Sequence, residues 1–495
     1  MAYLLEAFMI AFTPVNFLAL IVSTFFGIIV GILPGLTATM AVALLTGLTF
    51  GFGPEIAVIS LVGVYTGVIS AGAQAGILLN IPGTPASAAT VLDGHPMAKQ
   101  GKGGLAIFLA TASSMGGTII GVIFVLTLTP PLARLGLQFQ SYEFFLLALF
   151  GIMICGNLTG GDALKGWMAG FLGLLISAVG MDPMSGFPRF AFDVQALRGG
   201  LPLIPLMIAI FGFPEIIKIF NKQETMLSEM TKYKFSEGMK IMGKNTPTVI
   251  RSGLIGTLLG IVPGVGEDVG GWMSYWATKA SSKNKELFGK GAPEGLIAVE
   301  AGSNASKTGA LIPVLSLAVP GSTSAAIMLA AFFMHGYRPG PLLMAENPGF
   351  VSQVAVFFFL SAVAMFFIAV ALSRFTVKIL KVKKEILMPI IFTFCVIGAY
   401  LVRYVMFDVQ VMFIFGFIGF LLLFAKFPAA PLLLGMVLGQ MAEANLIRGL
   451  RLSGGSIEPF FTRPISLVLV CIIAVLILSQ IPFVQKIFQR KKTSE

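Results

Sequence analysis

Two adjacent carboxylates, Glu267 and Asp268, stand directly after a Pro-Gly turn in the run GIVPGVGED at 260–268, at the end of an apolar stretch. An ionisable side chain at membrane depth costs about 2.5–3.5 kcal/mol on insertion scales, which makes such a pair a functional candidate. Two readings stay open: the pair holds a coupling cation or proton, or it is the rim of a hairpin wetted by cytoplasmic water. A second cluster, Glu300, Asn304 and Lys307, is spaced by four and three residues and so shares one helical face. Lys307 would either meet a substrate carboxylate or pair with Glu300. A third set is hydroxyl-rich: Asn80, Thr84 and Ser87 in NIPGTPAS, and Ser322, Thr323 and Ser324 in AVPGSTS. A Pro-Gly break followed by Ser or Thr starts a helix whose free N–H groups favour anions. The six residues are therefore candidates for a substrate site, and their alternative role is capping and packing.

Other chemistry finds little support. His95 and His335 have no HExxH-like partner, and Cys155, Cys395 and Cys471 each stand alone in apolar runs, so no metalloenzyme is expected. No GxxxxGK[ST] loop occurs and no motif pairs a nucleophile with a base, so the chain is expected to be neither an ATPase nor another enzyme.

The elements that must position these residues are membrane helices. The chain is 56% hydrophobic and 11% charged, against about 45–50% and about 25% in soluble domains. Its apolar runs reach the roughly 20 residues that cross a bilayer core and do not alternate with a period of two, so helices rather than a barrel are meant. The 57 glycines and 27 prolines interrupt those runs, and irregular backbone survives at that depth only where protein buries it or a cavity is lined. Broken helices follow. The net charge of +11 reports topology rather than nucleic acid, because the basic residues gather at 99–102, 218–251, 279–290, 374–384 and 486–492. Those segments are expected to be cytoplasmic, including the C-terminus. The first residues carry Glu6 and no Lys or Arg, so no cleavable signal peptide is expected.

The sequence also repeats. GILPGLTAT at 31–39 returns as GIVPGVGED at 260–268, Pro54-Glu55 as Pro293-Glu294, NIPGTPASAA at 80–89 as AVPGSTSAA at 318–326, and DGHP at 93–96 as HGYRPGP at 335–341. Both flanks of the second Pro-Gly element are basic, whereas the first is flanked by Glu6 and Glu55, so the halves are read as inverted repeats with hairpin tips meeting near the midplane. Such repeats with discontinuous helices recur in secondary transporters, the breaks being where substrate and coupling ion bind. Gly35, Thr37 and Thr39 at the first tip and Gly264, Gly266, Glu267 and Asp268 at the second are the candidate coupling-ion residues, for sodium or a proton. The expected architecture is an all-α polytopic membrane protein: a first repeat at 1–220, a cytoplasmic linker at 221–247, a second repeat at 248–451, and an extra C-terminal helix with a basic tail at 452–495.

Long stretches of the chain resemble the large membrane subunit of tripartite tricarboxylate transporters, the TctA family. They are PGLTAT and LLNIPGTPASAATVLDGHPMAKQGKGG in the first half, and RSGLIGTLLGIVPGVG and FGKGAPEGLIAVEAGSNASKTGALIPVLSLAVPGSTSAAIMLAAFFMHGYRPGP in the second. The resemblance implies a bacterial inner-membrane protein importing small (tri)carboxylates on an ion gradient, with a small TctB-like membrane subunit and a periplasmic TctC-like solute-binding protein as partners in the lipid bilayer. The first tip lacks the Gly and Pro of the family's PGxGPT pattern. Glu267 and Asp268 replace small neutral residues, and Lys307 is unusual. Transport of a different small organic solute on the same fold is the first alternative, and a channel-like protein the second.

Overall fold

The computed structural model describes residues 2–33, 36–158, 163–182, 186–220, 233–263, 266–380 and 384–480. The linker around Lys232, the basic tail, and Gly35 and Gly264 at the tips lie outside the described residues. The described chain is almost wholly helical, with one antiparallel pair of two-residue strands, Gly180–Met181 and Pro188–Arg189, among the described residues. In chain order the helices are α1 (Ala2–Ala11), α2 (Pro14–Ile32), α3 (Ala38–Leu48), α4 (Pro54–Leu79), α5 (Val91–Met97), α6 (Gly103–Gly136), α7 (Ser141–Leu158), α8 (Ala163–Ser177), α9 (Gln195–Arg198) and α10 (Leu203–Phe220). They continue as α11 (Phe235–Lys244), α12 (Thr246–Ile261), α13 (Gly266–Ser281), α14 (Pro293–Gly309), α15 (Leu311–Leu317), α16 (Thr323–Met334), α17 (Leu343–Glu346) and α18 (Phe350–Leu372). The last are α19 (Thr376–Leu380), α20 (Lys384–Leu401), α21 (Met406–Phe424), α22 (Ala429–Leu452), α23 (Pro459–Thr462) and α24 (Pro464–Gln480). Six segments of the described chain are long and apolar enough to cross a bilayer: Pro14–Ile32, Pro54–Leu79, Val91–Gly136, Phe350–Leu380, Met406–Phe424 and Ala429–Leu452.

The chain forms two compact units, residues 1–133 with 204–420 and residues 134–203 with 421–495, so each unit draws on both halves of the sequence. In the second unit α7, α8, α22 and α24 pack together around Tyr142, Met153 and Phe460. The buried Glu143 accepts from Arg463 Nε at 2.7 Å and Ser466 Oγ at 2.6 Å. Glu443 is ion-paired with Arg189.

The first unit carries the Pro-Gly elements. Its central helix α4 is buried at every position of 57–79, as an element apolar on all sides must be, and α14 is buried throughout 295–309. Each lies against a hairpin helix at backbone contact. A Cβ on Gly27 or Gly31 of α2 would stand 2.5 Å from the carbonyl oxygen of Val64 or Val68 of α4. Gly256 and Gly260 of α12 meet the carbonyls of Gly302 and Ser306 of α14 in the same way. Small residues four apart allow this approach, and in lipid such contact is a main source of helix association. The two pairings share one register: Gly27 and Gly256 are 229 apart, Val64 and Gly302 are 238 apart, and the next pair repeats both offsets.

The helix breaks repeat as closely. α4 ends on Asn80 at φ 60°, and α15 on Ala318 at φ 57°. A non-glycine residue in that region costs about 1–2 kcal/mol, and the chain then folds back on its own helix. Gly83 donates its N–H to the Gly72 carbonyl at 3.1 Å, and Gly321 donates to the Ala310 carbonyl at 3.3 Å, 238 residues on in both partners. A Cβ on Gly83 would lie 2.5 Å from the Gly31 oxygen and 2.8 Å from the Gly72 Cα, and one on Gly321 would lie 2.8 Å from the Ala310 Cα. The break and the hairpin are therefore locked together at glycine. Gly83→Ala and Gly321→Ala should each cost about 1–3 kcal/mol, the usual penalty for overpacking, while Gly51→Ala, where an added Cβ meets nothing within 4 Å, should be near neutral. Thermal unfolding of the three purified variants measures this, and loss at one break without the other would show that the breaks are not equivalent.

Candidate functional site

Each hairpin is a pair of helices, α2 with α3 and α12 with α13, joined in sequence through Pro-Gly. At the first, Thr37 caps α3 by accepting from Met40 N at 3.2 Å, which aims the next turn, with Thr39, at the far half of the chain. At the second, α13 begins on Gly266 at φ 54°, and the Gly266 carbonyl accepts from Ser306 Oγ at 2.8 Å.

Glu267 and Asp268 part company there. Neighbours on a helix point about 100° apart, so one side chain turns inward and the other out: Glu267 is 5% exposed and Asp268 is exposed. The Glu267 carboxylate accepts from Tyr65 Oη of α4 at 3.2 Å and from Ser324 Oγ of α16 at 2.9 Å. Ser324 Oγ lies 3.1 Å from Thr39 Oγ1, which lies 3.3 Å from Thr323 Oγ1. A hydroxyl has one hydrogen to give. With an ionised Glu267 taking that of Ser324, Thr39 must donate to Ser324 and accept from Thr323, so the chain runs one way, from Thr323 to Glu267. Four candidates assigned by sequence to two sites, Thr39 and Glu267 to the ion and Thr323 and Ser324 to the substrate, thus form one junction of first tip, second tip and second break. Among the described residues the donors to the Glu267 side chain are neutral hydroxyls, and no basic group lies within ion-pairing distance of it.

The first break is arranged differently. Thr84 and Ser87 are each 2% exposed and cap a single 3-10 turn over Pro85–Ser87, with Thr84 N donating to Ser87 Oγ at 3.2 Å and Ser87 Oγ donating to the Thr84 carbonyl at 2.9 Å. Ser322 likewise caps α16, accepting from Ala325 N at 3.1 Å. Asn80 is the exposed, left-handed end of α4. Thr84, Ser87 and Ser322 therefore hold the helix starts whose N–H groups were read as anion-facing, and only Thr323 and Ser324 of the six join the junction.

Glu300, Asn304 and Lys307 occupy the interior between α4, α5, α6 and α14, none more than 1% exposed. Glu300 accepts from Thr90 through Oε1 and from Ser114 Oγ through Oε2 at 3.0 Å. Asn304 Nδ2 donates to Ser114 Oγ at 2.9 Å, and its Oδ1 accepts from Lys307 Nζ at 2.8 Å and Ser70 Oγ at 2.7 Å. Lys307 and Glu300 are two turns apart, about 10 Å along the axis, and Asn304 bridges them without a direct ion pair.

Tyr65, Ser70 and Ser114 were not singled out from sequence. A lone Tyr or Ser in an apolar helix carries no local signal. The repeat offset does contain one: Tyr65 matches Ser303 and Ser70 matches Thr308, both on the polar face of α14. Asp93 of the DGHP run was likewise only a landmark, yet its Oδ1 accepts the backbone N–H groups of Gly289, Gly291 and Ala292 at 2.8, 2.9 and 2.8 Å. That clasp ties the GKGAP loop of the second half to α5 of the first.

Comparison with known proteins places the chain among relatives of two kinds, a family and individual proteins. An uncharacterized 52.8 kDa protein from the TAR-I ttuC' 3' region of Agrobacterium vitis is 32% identical over 482 residues, covering 96% of this chain and 95% of that protein. An uncharacterized protein from the TAR-II ttuC' 3' region of the same organism is 34% identical over 227 residues, 45% of this chain and 94% of its own length. No solved structure matches. The family described as tripartite tricarboxylate transporter TctA matches residues 17–434, a span holding both hairpins, both breaks and the buried polar cluster, and the chain belongs to that family.

Proposed function

We propose that the protein is the large translocating subunit of a secondary transporter that imports small carboxylates across the bacterial inner membrane, served by a solute-binding protein and a small membrane subunit. The observation that carries this reading is the junction of Thr39, Thr323, Ser324 and Glu267. It gathers polar side chains from both halves at three helix starts inside an apolar protein, where N–H groups attract an anion and a carboxylate attracts a cation. Glu267 is the coupling group: a buried carboxylate held only by hydroxyls is incomplete without a proton or a sodium ion, and Thr39 and Ser324 supply further oxygens beside it. Asp268, facing outward, is the entry side of the same tip. The halves are inverted repeats, the first hairpin opening to the periplasm and the second to the cytoplasm, in keeping with the basic flanks of the second alone.

Uptake of radiolabelled citrate and smaller carboxylates into vesicles, with sodium and pH gradients imposed separately, tests the assignment. Glu267→Gln should lose at least about tenfold in rate, equal to about 1.4 kcal/mol, and lose its response to the coupling gradient, whereas Asp268→Asn should keep the gradient response. Unchanged gradient dependence in Glu267→Gln would remove the tip from coupling. Thr323→Val deletes a hydrogen bond of about 0.5–1.5 kcal/mol and should lower uptake roughly two- to tenfold without loss of protein. Orientation is checked by a single cysteine at Ser236, on the exposed face of α11, which should resist an impermeant thiol reagent applied from outside.

A further inference from the structure

Lys307 is the sole Lys or Arg among the described residues that is buried, at 0% exposure. Three oxygens face its ammonium: Asn304 Oδ1 at 2.8 Å, and the Thr66 carbonyl and Ser70 Oγ, each at 3.5 Å. The three donors of an ammonium are thereby matched by three acceptors. Ser70 spends its hydrogen on Asn304 Oδ1, so it can offer the ammonium only lone pairs. Thr66 adds a buried Oγ1 with no partner. A carbonyl, an amide oxygen and hydroxyls, all neutral and hard, are the donor set that suits an alkali cation. The repeat sharpens the point. Thr66 and Asn304 are 238 apart, as are Ser70 and Thr308, so the facing helices offer matched polar positions across their seam. Lys307 is matched by Ile69, so the charge comes from one half alone.

We propose that the Lys307 ammonium is a built-in cation: it fills a monovalent-cation site between α4 and α14 formed by Asn304, Thr66 and Ser70, and replaces a dissociable ion there with a tethered one. The amine is then held covalently in place and linked to Glu300 through Asn304 and Ser114. Lys307 makes none of its hydrogen bonds to Glu267, and on the reading proposed above that tip stays the place where an exchangeable ion enters the cycle.

The test is cation-dependent thermal unfolding of the purified full chain, which requires neither substrate nor partner and so stands whether or not the carboxylate reading does. Lys307→Ala opens the space with the oxygens in place, whereas Lys307→Met fills it with an uncharged chain of similar length. Sodium or methylammonium at saturation, against choline at the same ionic strength, should raise the melting temperature of Lys307→Ala by about 2 °C or more beyond any rise in wild type and in Lys307→Met. Should Lys307→Ala be recovered as monodisperse protein only when sodium or methylammonium is present, the proposal is equally supported. It is overturned if Lys307→Ala responds no more than wild type, if Lys307→Met responds as strongly, or if neither variant can be recovered in any of the three cations.

Discussion

Backbone that leaves a helix inside an apolar environment must find new partners for its N–H and C=O groups, and the architecture of the first unit follows from that requirement. At both breaks the answer is the same: the chain turns left-handed, doubles back and bonds a glycine N–H to a carbonyl of the helix it has just left. The return is possible only because Gly83 and Gly321 bring backbone within van der Waals contact of both that helix and the neighbouring hairpin. Once the return is made, the first residues of the next segment are fixed in direction. Their caps, Ser87 on Thr84 and Ser322 on Ala325, are part of the same closure rather than free donors.

The polar side chains divide by what they are asked to satisfy. Around Glu300 the carboxylate, the Asn304 amide and the Lys307 amine all have protein partners, and hydrogen bonds through Asn304 and Ser114 link the amine to the carboxylate. Around Glu267 the donors among the described residues are neutral hydroxyls, with no ion pair at contact distance. Of the two buried carboxylates in this unit, Glu300 is linked to an ammonium through hydrogen-bonded side chains and Glu267 is bonded, among the described residues, by hydroxyls alone.

Much of this was legible in the sequence. Pro-Gly runs within apolar stretches marked the turns and breaks, because few other sequences leave a helix at that depth, and their duplication marked the repeat. The site itself was legible only as pieces. Thr39 and Ser324 are 285 residues apart, and nothing local says that they touch. Asp93 is satisfied by backbone N–H groups, which have no letter in a sequence. The compact units could not be read at all, since the small residues that join membrane helices are scattered through every helix of the chain. The opposite fates of Glu267 and Asp268 were available from helical geometry, had the start of α13 been known.

Because each compact unit joins an early segment of the chain to a late one, the order of synthesis leaves parts of the protein waiting. Tyr65 and Thr39 enter the bilayer long before Glu267 and Ser324 exist, and α4, buried on all sides at the end, first meets lipid on the faces that α14 and α18 will cover. Residues 134–203 must stand aside as well, with their own partners beginning only after 421. Contacts of such long range close late. The nascent first half is therefore an apolar bundle with hydroxyls exposed along one side, and its maturation depends on the arrival of a second half carrying the complementary polar face.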